Sequence, residues 1–144
     1  MRSTIVLVAT AAAFAFVMYH PHAKAKAMLA AEAGAIRKLR QAVQIEPNAT
    51  VWEHDAYRYR WVLEGPLPPL LVAEPIDPGV NAVRSFATIA GSAVYERDPV
   101  MADALPGRIT EADLRRYLAL DPEKRKKATR PNAWTPLPEP PKAP

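Results

Sequence analysis

Proline restricts the fold of this chain more than any other residue. Sixteen of its 144 residues are proline, and six of these lie between Pro131 and Pro144. Proline has no backbone N–H and interrupts both helices and sheet ladders. Its frequency therefore argues against a compact sheet and against a long uninterrupted helical bundle. Residues 123–144, a basic run followed by these prolines, are predicted to form an extended polyproline-like tail that does not fold on itself.

The composition excludes several kinds of catalytic and metal site. The sequence has no cysteine, which excludes a disulfide scaffold, thiolate metal sites and a cysteine nucleophile. Three histidines leave little material for a histidine metal site. The sequence also lacks a Gly-rich phosphate loop, a nucleophile elbow and a zinc-protease motif. We therefore predict that the protein is not an enzyme and has no cofactor, no metal and no small-molecule substrate.

The segment from Thr4 to Tyr19 carries no charge, no proline and no glycine. As a helix it would span about 24 Å, against roughly 30 Å for the core of a bilayer. We interpret residues 1–20 as a single-pass membrane anchor. The alternatives are a cleaved signal peptide, which predicts a secreted or periplasmic protein, and a buried soluble helix.

More positive residues follow this segment than precede it. The positive-inside rule then places the bulk of the chain on the side from which insertion starts, for example the matrix side of the mitochondrial inner membrane. The residues expected at the membrane interface are Tyr19, His20, His22, Lys24 and Lys26.

Residues 21–46 are predicted to form a separate basic amphipathic helix. Pro21 should break the preceding helix, because the residue before a proline disfavours helical geometry. Apolar side chains then recur at three- and four-residue steps, and Glu32 lies near the middle of their stripe. An unpaired carboxylate there is costly. Glu32 is therefore expected either to meet a basic residue of another chain or to keep its carboxylate in water at the edge of the contact.

Residues 47–79 are expected to be an extended, aromatic and proline-rich segment. Tyr57, Tyr59 and Trp61 alternate with arginines, and this period of two is typical of a short strand. Aromatic and basic groups together can also bind single-stranded nucleic acid, but residues 51–107 carry eight acidic and four basic residues, so nucleic acid is disfavoured. We predict contact with a protein partner instead, with the arginines paired to nearby acids. The predicted partner-binding residues are Glu32, Tyr57, Arg58, Tyr59, Arg60, Trp61 and Trp134, and the expected acidic partners of the arginines are Glu53, Asp55 and Glu64.

Residues 80–122 are predicted to contain two short packed helices. Asp77 and Pro78 have the residue types of a helix start, and apolar residues continue at helical spacing to Tyr95. The second helix should run from a capping box at Thr110 to about Leu120. Asp121 and Pro122 are expected to end it or to cap one further turn. Ile109 and Leu114 stand at the positions of a hydrophobic staple.

The predicted fold is mostly α and non-globular, with one N-terminal transmembrane helix, two to three short helices and extended proline-rich arms. Such a chain has too few clustered apolar residues for a large core, so other subunits should stabilise it. We predict a non-catalytic accessory subunit of a large membrane complex, such as the respiratory chain or ATP synthase, acting in assembly and stability. Its partners would be other subunits and the lipid bilayer. An organelle ribosome-associated protein is a further alternative.

Overall fold

A computed structural model describes residues 2–141, and for residues 2–21, 101 and 102 it describes the backbone only. The described residues form one antiparallel sheet and four helices. The elements, in chain order, are α1 (Arg2–Ala42), β1 (Trp52–His54), β2 (Tyr57–Val62), β3 (Leu70–Pro75), β4 (Phe86–Thr88), β5 (Tyr95–Arg97), α2 (Pro99–Ala104), α3 (Gly107–Leu118), α4 (Pro122–Lys127) and β6 (Trp134–Pro136).

The six strands form a meander in which each strand pairs with the next in sequence. The longest pairing joins β2 to β3, from Tyr57 opposite Pro75 to Val62 opposite Leu70. A two-residue loop joins β1 to β2, and Asp55 in this loop has φ of 53°. Positive φ is what the tightest hairpin turns require, and aspartate tolerates it better than most residues.

Apolar side chains cover both faces of the sheet. On one face the C-terminal part of α1 packs Ala35 and Leu39 against a cluster that includes Tyr59 and Phe86. On the other face α3 packs Leu114 and Leu118 against a second cluster; the strand members of that cluster are Leu70, Val72, Ala87, Tyr95 and Trp134. The chain is therefore a three-layer α/β/α arrangement, and it has a larger core of its own than the sequence predicts.

The prediction of a mostly α, non-globular fold is wrong. The region from Asp77 to Tyr95, predicted as a helix, consists of a loop, β4, a turn and the first residue of β5. The helical spacing of its apolar residues is coincidental, because Phe86 faces α1 whereas Ala87, the next residue, faces α3. Ladder bonds to β3 and β5 decide the conformation of this segment, and single-sequence periodicity cannot detect them.

The first helix also differs from its prediction. α1 continues without interruption through Pro21, so the expected break is wrong. The helix predicted for residues 21–46 is present only up to Ala42 and is part of α1. In the part of the chain whose side chains are described, no helix is both long and apolar enough to cross a membrane. The predicted anchor, residues 1–20, lies outside the residues with described side chains. The absence of a membrane-spanning helix from the described part of the chain contradicts the transmembrane, single-pass and inner-membrane assignments.

The region around α3 corrects smaller predictions. α3 begins at Gly107 with Pro106 as its N-cap, so Thr110 is a helical residue, and its hydroxyl donates to the Gly107 carbonyl at 2.7 Å. The proposed staple is also wrong, since Ile109 is exposed. Asp121 does precede a further short helix, α4, with Pro122 at its first position. That part of the prediction is confirmed.

The proline-rich tail returns to the sheet. Its residues Trp134–Pro136 form β6, which pairs with β5, and the Leu137 N–H donates to the Val94 carbonyl at 2.8 Å. The tail is extended here, as predicted, but this segment is held by β5 of its own chain and not by another subunit. β6 is an edge strand, and Pro136 is tolerated there because the Leu137 bond shows that the Pro136 nitrogen faces outward, away from β5.

Deleting residues 131–144 should destabilise the fold, because it removes β6 and the Trp134 side chain, which is 1% exposed. We expect the free energy of unfolding to fall by at least about 3 kcal/mol, as for loss of a buried large side chain. Urea unfolding followed by circular dichroism measures it. Deletion of residues 139–144 is the control and should leave the midpoint nearly unchanged; equal midpoints for both truncations would contradict the prediction.

Candidate functional site

The outer edge of β2 is open over part of its length. β1 pairs with β2 only from His54–Tyr57 to Trp52–Tyr59, whereas β2 continues to Val62. The Ile76 N–H donates to the Ala56 carbonyl, so residues of even number in this strand face β3. Alternation along the strand then directs the backbone groups of Trp61 away from β3, toward the β1 side. In the described residues no backbone bond reaches Trp61 from that side.

A local turn explains why β1 is so short. The Thr50 N–H donates to the Asn48 side-chain oxygen at 2.9 Å, which is an Asx turn. This turn satisfies the Thr50 N–H locally, and the chain enters the ladder only at Trp52. Had β1 continued in register, Thr50 would stand opposite Trp61. The turn therefore leaves the Trp61 edge without a partner from its own chain.

An apolar groove of about 450 Å³ lies beside this edge. It forms where α1 ends and where the loops before β3 and after β4 meet. Its lining residues are Val43, Gln44, Ile45, Glu46, Pro47, Trp61, Pro68, Pro69, Ile89 and Ala90. Ile45 is 64% exposed although it is fully apolar, and Leu63, just beyond the end of β2, is 40% exposed. Glu46 is the charged member of the lining.

A second cleft, of about 470 Å³, lies on the α3 face and is polar. Arg60 donates there to Glu74 at 2.9 Å and also to Glu111, which is buried on α3. Burial alone would lower the pKa of Arg60, but the hydrogen bonds to the two carboxylates outweigh it and raise that pKa. The three side chains form one ion-paired cluster with one positive and two negative charges, and this cluster ties α3 to the sheet, so they have a structural use.

Arg115 is buried at the bottom of this cleft and holds the loop between β2 and β3. Its guanidinium donates to the carbonyls of Glu64 at 2.7 Å, Leu67 at 3.1 Å and Pro68 at 3.2 Å. Prolines in this loop cannot complete a regular backbone ladder. One arginine therefore replaces the missing backbone donors and fixes the loop that forms one wall of the apolar groove.

Replacing Arg115 with alanine should lower the free energy of unfolding by about 3 kcal/mol or more, because three loop carbonyls lose their donor. Arg115→Lys should recover part of this loss, since an ammonium group can serve some of them. Chemical denaturation at neutral pH measures both. The neighbouring Arg116, exposed and paired with Asp113, is the control, and its alanine variant should lose no more than about 1 kcal/mol. Equal effects at the two positions would count against this assignment.

Three of the predicted partner-binding residues lie in the core. Tyr57, Tyr59 and Trp134 are each about 1% exposed. The Tyr57 hydroxyl donates to the Arg84 carbonyl at 2.9 Å, and the Trp134 indole N–H donates to the Thr110 carbonyl at 3.0 Å. These aromatic groups therefore pack within the chain and are not available to a partner in this fold.

The other four are placed differently. Glu32 is buried against the sheet, where the Arg84 N–H donates to it at 3.4 Å. Arg58 pairs with Glu53 at 2.8 Å, which confirms one of the expected ion pairs. Arg60 lies in the polar cleft, as described above. Of the seven, only Trp61 lines the apolar groove while remaining partly exposed.

The residues expected at a membrane interface lie on α1. His22, Lys24 and Lys26 are exposed, whereas Tyr19 and His20 lie outside the residues with described side chains. Within the fully described part of the chain, no three histidine or carboxylate groups converge as a metal site would require.

Buried phenols should make the fold sensitive to high pH. Burial, with a smaller contribution from Asp55, raises the pKa of Tyr59 from 10.0 to about 12, and burial followed by the Glu32 charge also raises the pKa of Tyr57. Because the folded state favours the neutral phenol, this stability is complete below pH 10. It declines as the pH rises toward 12, by up to about 1.4 kcal/mol per pH unit for each group.

Urea unfolding between pH 9 and pH 12 tests this expectation. Tyr59→Phe should flatten the decline in the free energy of unfolding, because the phenol that must stay neutral is gone. Tyr117→Phe, on α3, controls for removal of a hydroxyl elsewhere. Identical pH profiles for the wild type and Tyr59→Phe would show that this phenol does not control alkaline unfolding.

Sequence reasoning missed most of the groove. The sequence predicts a helix that includes Ile45 and Glu46, and it places Pro47, Pro68 and Pro69 in an extended proline-rich segment. The sequence does show apolar and proline residues close to Trp61. Only the register of β1 on β2, however, shows that this strand edge is free.

Comparisons of the chain with protein-family models, with curated proteins and with solved structures find no match.

Proposed function

We propose that this chain is a non-catalytic accessory protein that binds an extended segment of another polypeptide and thereby stabilises a larger assembly. The observation that carries the proposal is the open edge of β2 at Trp61 beside the apolar groove. An added strand can pair with free backbone groups while its side chains enter a neighbouring groove, and this mode of peptide recognition recurs on exposed sheet edges.

The geometry supplies both parts of such a site. The Trp61 N–H and carbonyl face outward, so a visiting strand would pair with them directly. A residue opposite Trp61 would project its side chain on the same face as the Trp61 indole, which is the groove side of the sheet. The apolar groups that the ligand side chain contacts, with the exposed Ile45 as the main candidate, would then lose their contact with water. This favours binding in proportion to the apolar area covered.

The polar groups of the α3-side cleft support a binding role over a catalytic one. In the α3-side cleft, Arg60, Glu74 and Glu111 are joined to one another, and Arg115 is joined to loop carbonyls. A general acid or base must be free to exchange a proton with a substrate. These groups instead hold α3 and the groove wall in place.

A random dodecapeptide display library selected against the immobilised full-length chain tests the proposal. We expect enriched peptides that alternate apolar and polar residues. Their binding should weaken at least tenfold with Trp61→Ala, because the groove loses its aromatic wall. Ile45→Asp should have a similar effect without touching the core, since Ile45 is exposed, and it guards against a folding defect in the Trp61 variant.

The control is Val100→Ala, an exposed apolar residue of α2 that follows β5, three strands away from β2. This variant should bind the selected peptides like the wild type. A library without enriched peptides, or peptides indifferent to both groove variants, would overturn the proposal. Self-association of the chain, lost in Ile45→Asp and seen by light scattering, would show that a second copy occupies the groove and would overturn it equally.

A further inference from the structure

The charge at the groove allows a more specific statement about its ligand. This inference rests on the proposed peptide-binding function and concerns the same site. Most of the groove lining is apolar or proline, and its single charged side chain is Glu46. Glu46 is exposed, and none of the ion pairs among the described residues involves it.

Four nearby arginines of the sequence bind other groups. In the acidic middle of the chain, Arg58 pairs with Glu53, Arg60 with Glu74 and Glu111, and Arg84 with Glu96. Arg40, on the last turn of α1, donates to the Pro138 carbonyl on the tail side. The groove therefore presents one uncompensated negative charge beside an apolar surface.

We propose that the ligand is an extended peptide that places an apolar side chain in the groove and a lysine or arginine beside Glu46. In a strand, residues two positions apart project on the same face. The apolar residue opposite Trp61 and a basic residue two positions away would therefore both point to the groove side. The expected ligand therefore carries an apolar and a basic residue two positions apart, in the order set by the direction of the bound strand.

The charge matters more here than on an open surface. A bound strand would cover the groove and remove water around Glu46, and an ion pair is stronger where water is excluded. A carboxylate covered without a partner would be costly, so an acidic or apolar residue at the same position of the ligand should be rejected. Glu46 would thus select the ligand as well as bind it.

Three synthetic heptapeptides provide the probes. Each has a central valine and threonine at positions 1, 3, 5 and 7. The positions two residues before and two residues after that valine both carry lysine in the first peptide, serine in the second and glutamate in the third, so that either strand direction is tested. We expect the lysine peptide to bind the full-length chain at least fivefold more tightly than the serine peptide, and the glutamate peptide to bind most weakly. Fluorescence anisotropy of labelled peptides at low and high salt measures the affinities.

Variants of Glu46 separate the effect of its charge on binding from the effect of the apolar groove. Glu46→Gln should remove the preference for lysine while the serine peptide binds at least as tightly as it binds the wild type, because the neutral amide costs less to cover. Glu46→Lys should reverse the order of the lysine and glutamate peptides. Asp103→Asn is the matched control. Asp103 is an exposed carboxylate of α2, the helix that follows β5, and β5 is three strands away from β2. This variant should leave the ranking unaltered.

The outcomes distinguish this inference from the proposed function. If the three peptides bind equally well and depend on Trp61, or if the lysine preference survives in Glu46→Gln, the charge selection is overturned and the peptide-binding function stands. If the display library yields no peptide that depends on the groove, the function itself fails, and the inference falls with it.

Discussion

Six consecutive residue pairs join β2 to β3, from Tyr57–Pro75 to Val62–Leu70, and the apolar clusters on both faces of the sheet depend on this ladder. The pair places Tyr59 and Leu71 under α1, and Leu70 and Val72 under α3. A strand buried on both faces reads as a continuous apolar run, and β3 is such a run in Leu70–Ala73. Without this central pair neither helix would have a surface to cover.

Part of this architecture could be predicted from the sequence. The alternation of Tyr57, Tyr59 and Trp61 with arginine identified β2, because a long half-buried strand carries a period of two. The helix that ends near Ala42 was visible in its three- and four-residue apolar spacing. In both cases the element is long enough for its period to repeat, so a chance match is improbable.

The short strands could not be predicted in the same way. β4, β5 and β6 have three residues each, which is too few to establish a period. Phe86 and Ala87 fitted a helical stripe that reached from Val80 to Val94, and only pairing with β3 separates them onto opposite faces. Likewise Trp134 looked like a partner contact in a tail, because its burial depends on α3, which lies far away in the sequence. The proline content led to the prediction of a tail outside any sheet, but the outer edge of a sheet tolerates proline.

The structure of the two sheet edges explains why the candidate site lies at Trp61. On the β6 edge the Trp134 N–H is bonded to the Pro131 carbonyl and Pro136 has no N–H, so this edge offers no donor from either residue. On the other edge β1 is only three residues long and carries charged Glu53, two devices that discourage strand addition. The Asx turn at Asn48 stops β1 before it can cover Trp61. Both edges of the sheet thus discourage strand addition, except at Trp61 beside the apolar groove. A fully open edge would bind any extended chain. This edge requires a ligand that also fits the groove, which is the arrangement expected of selective strand addition.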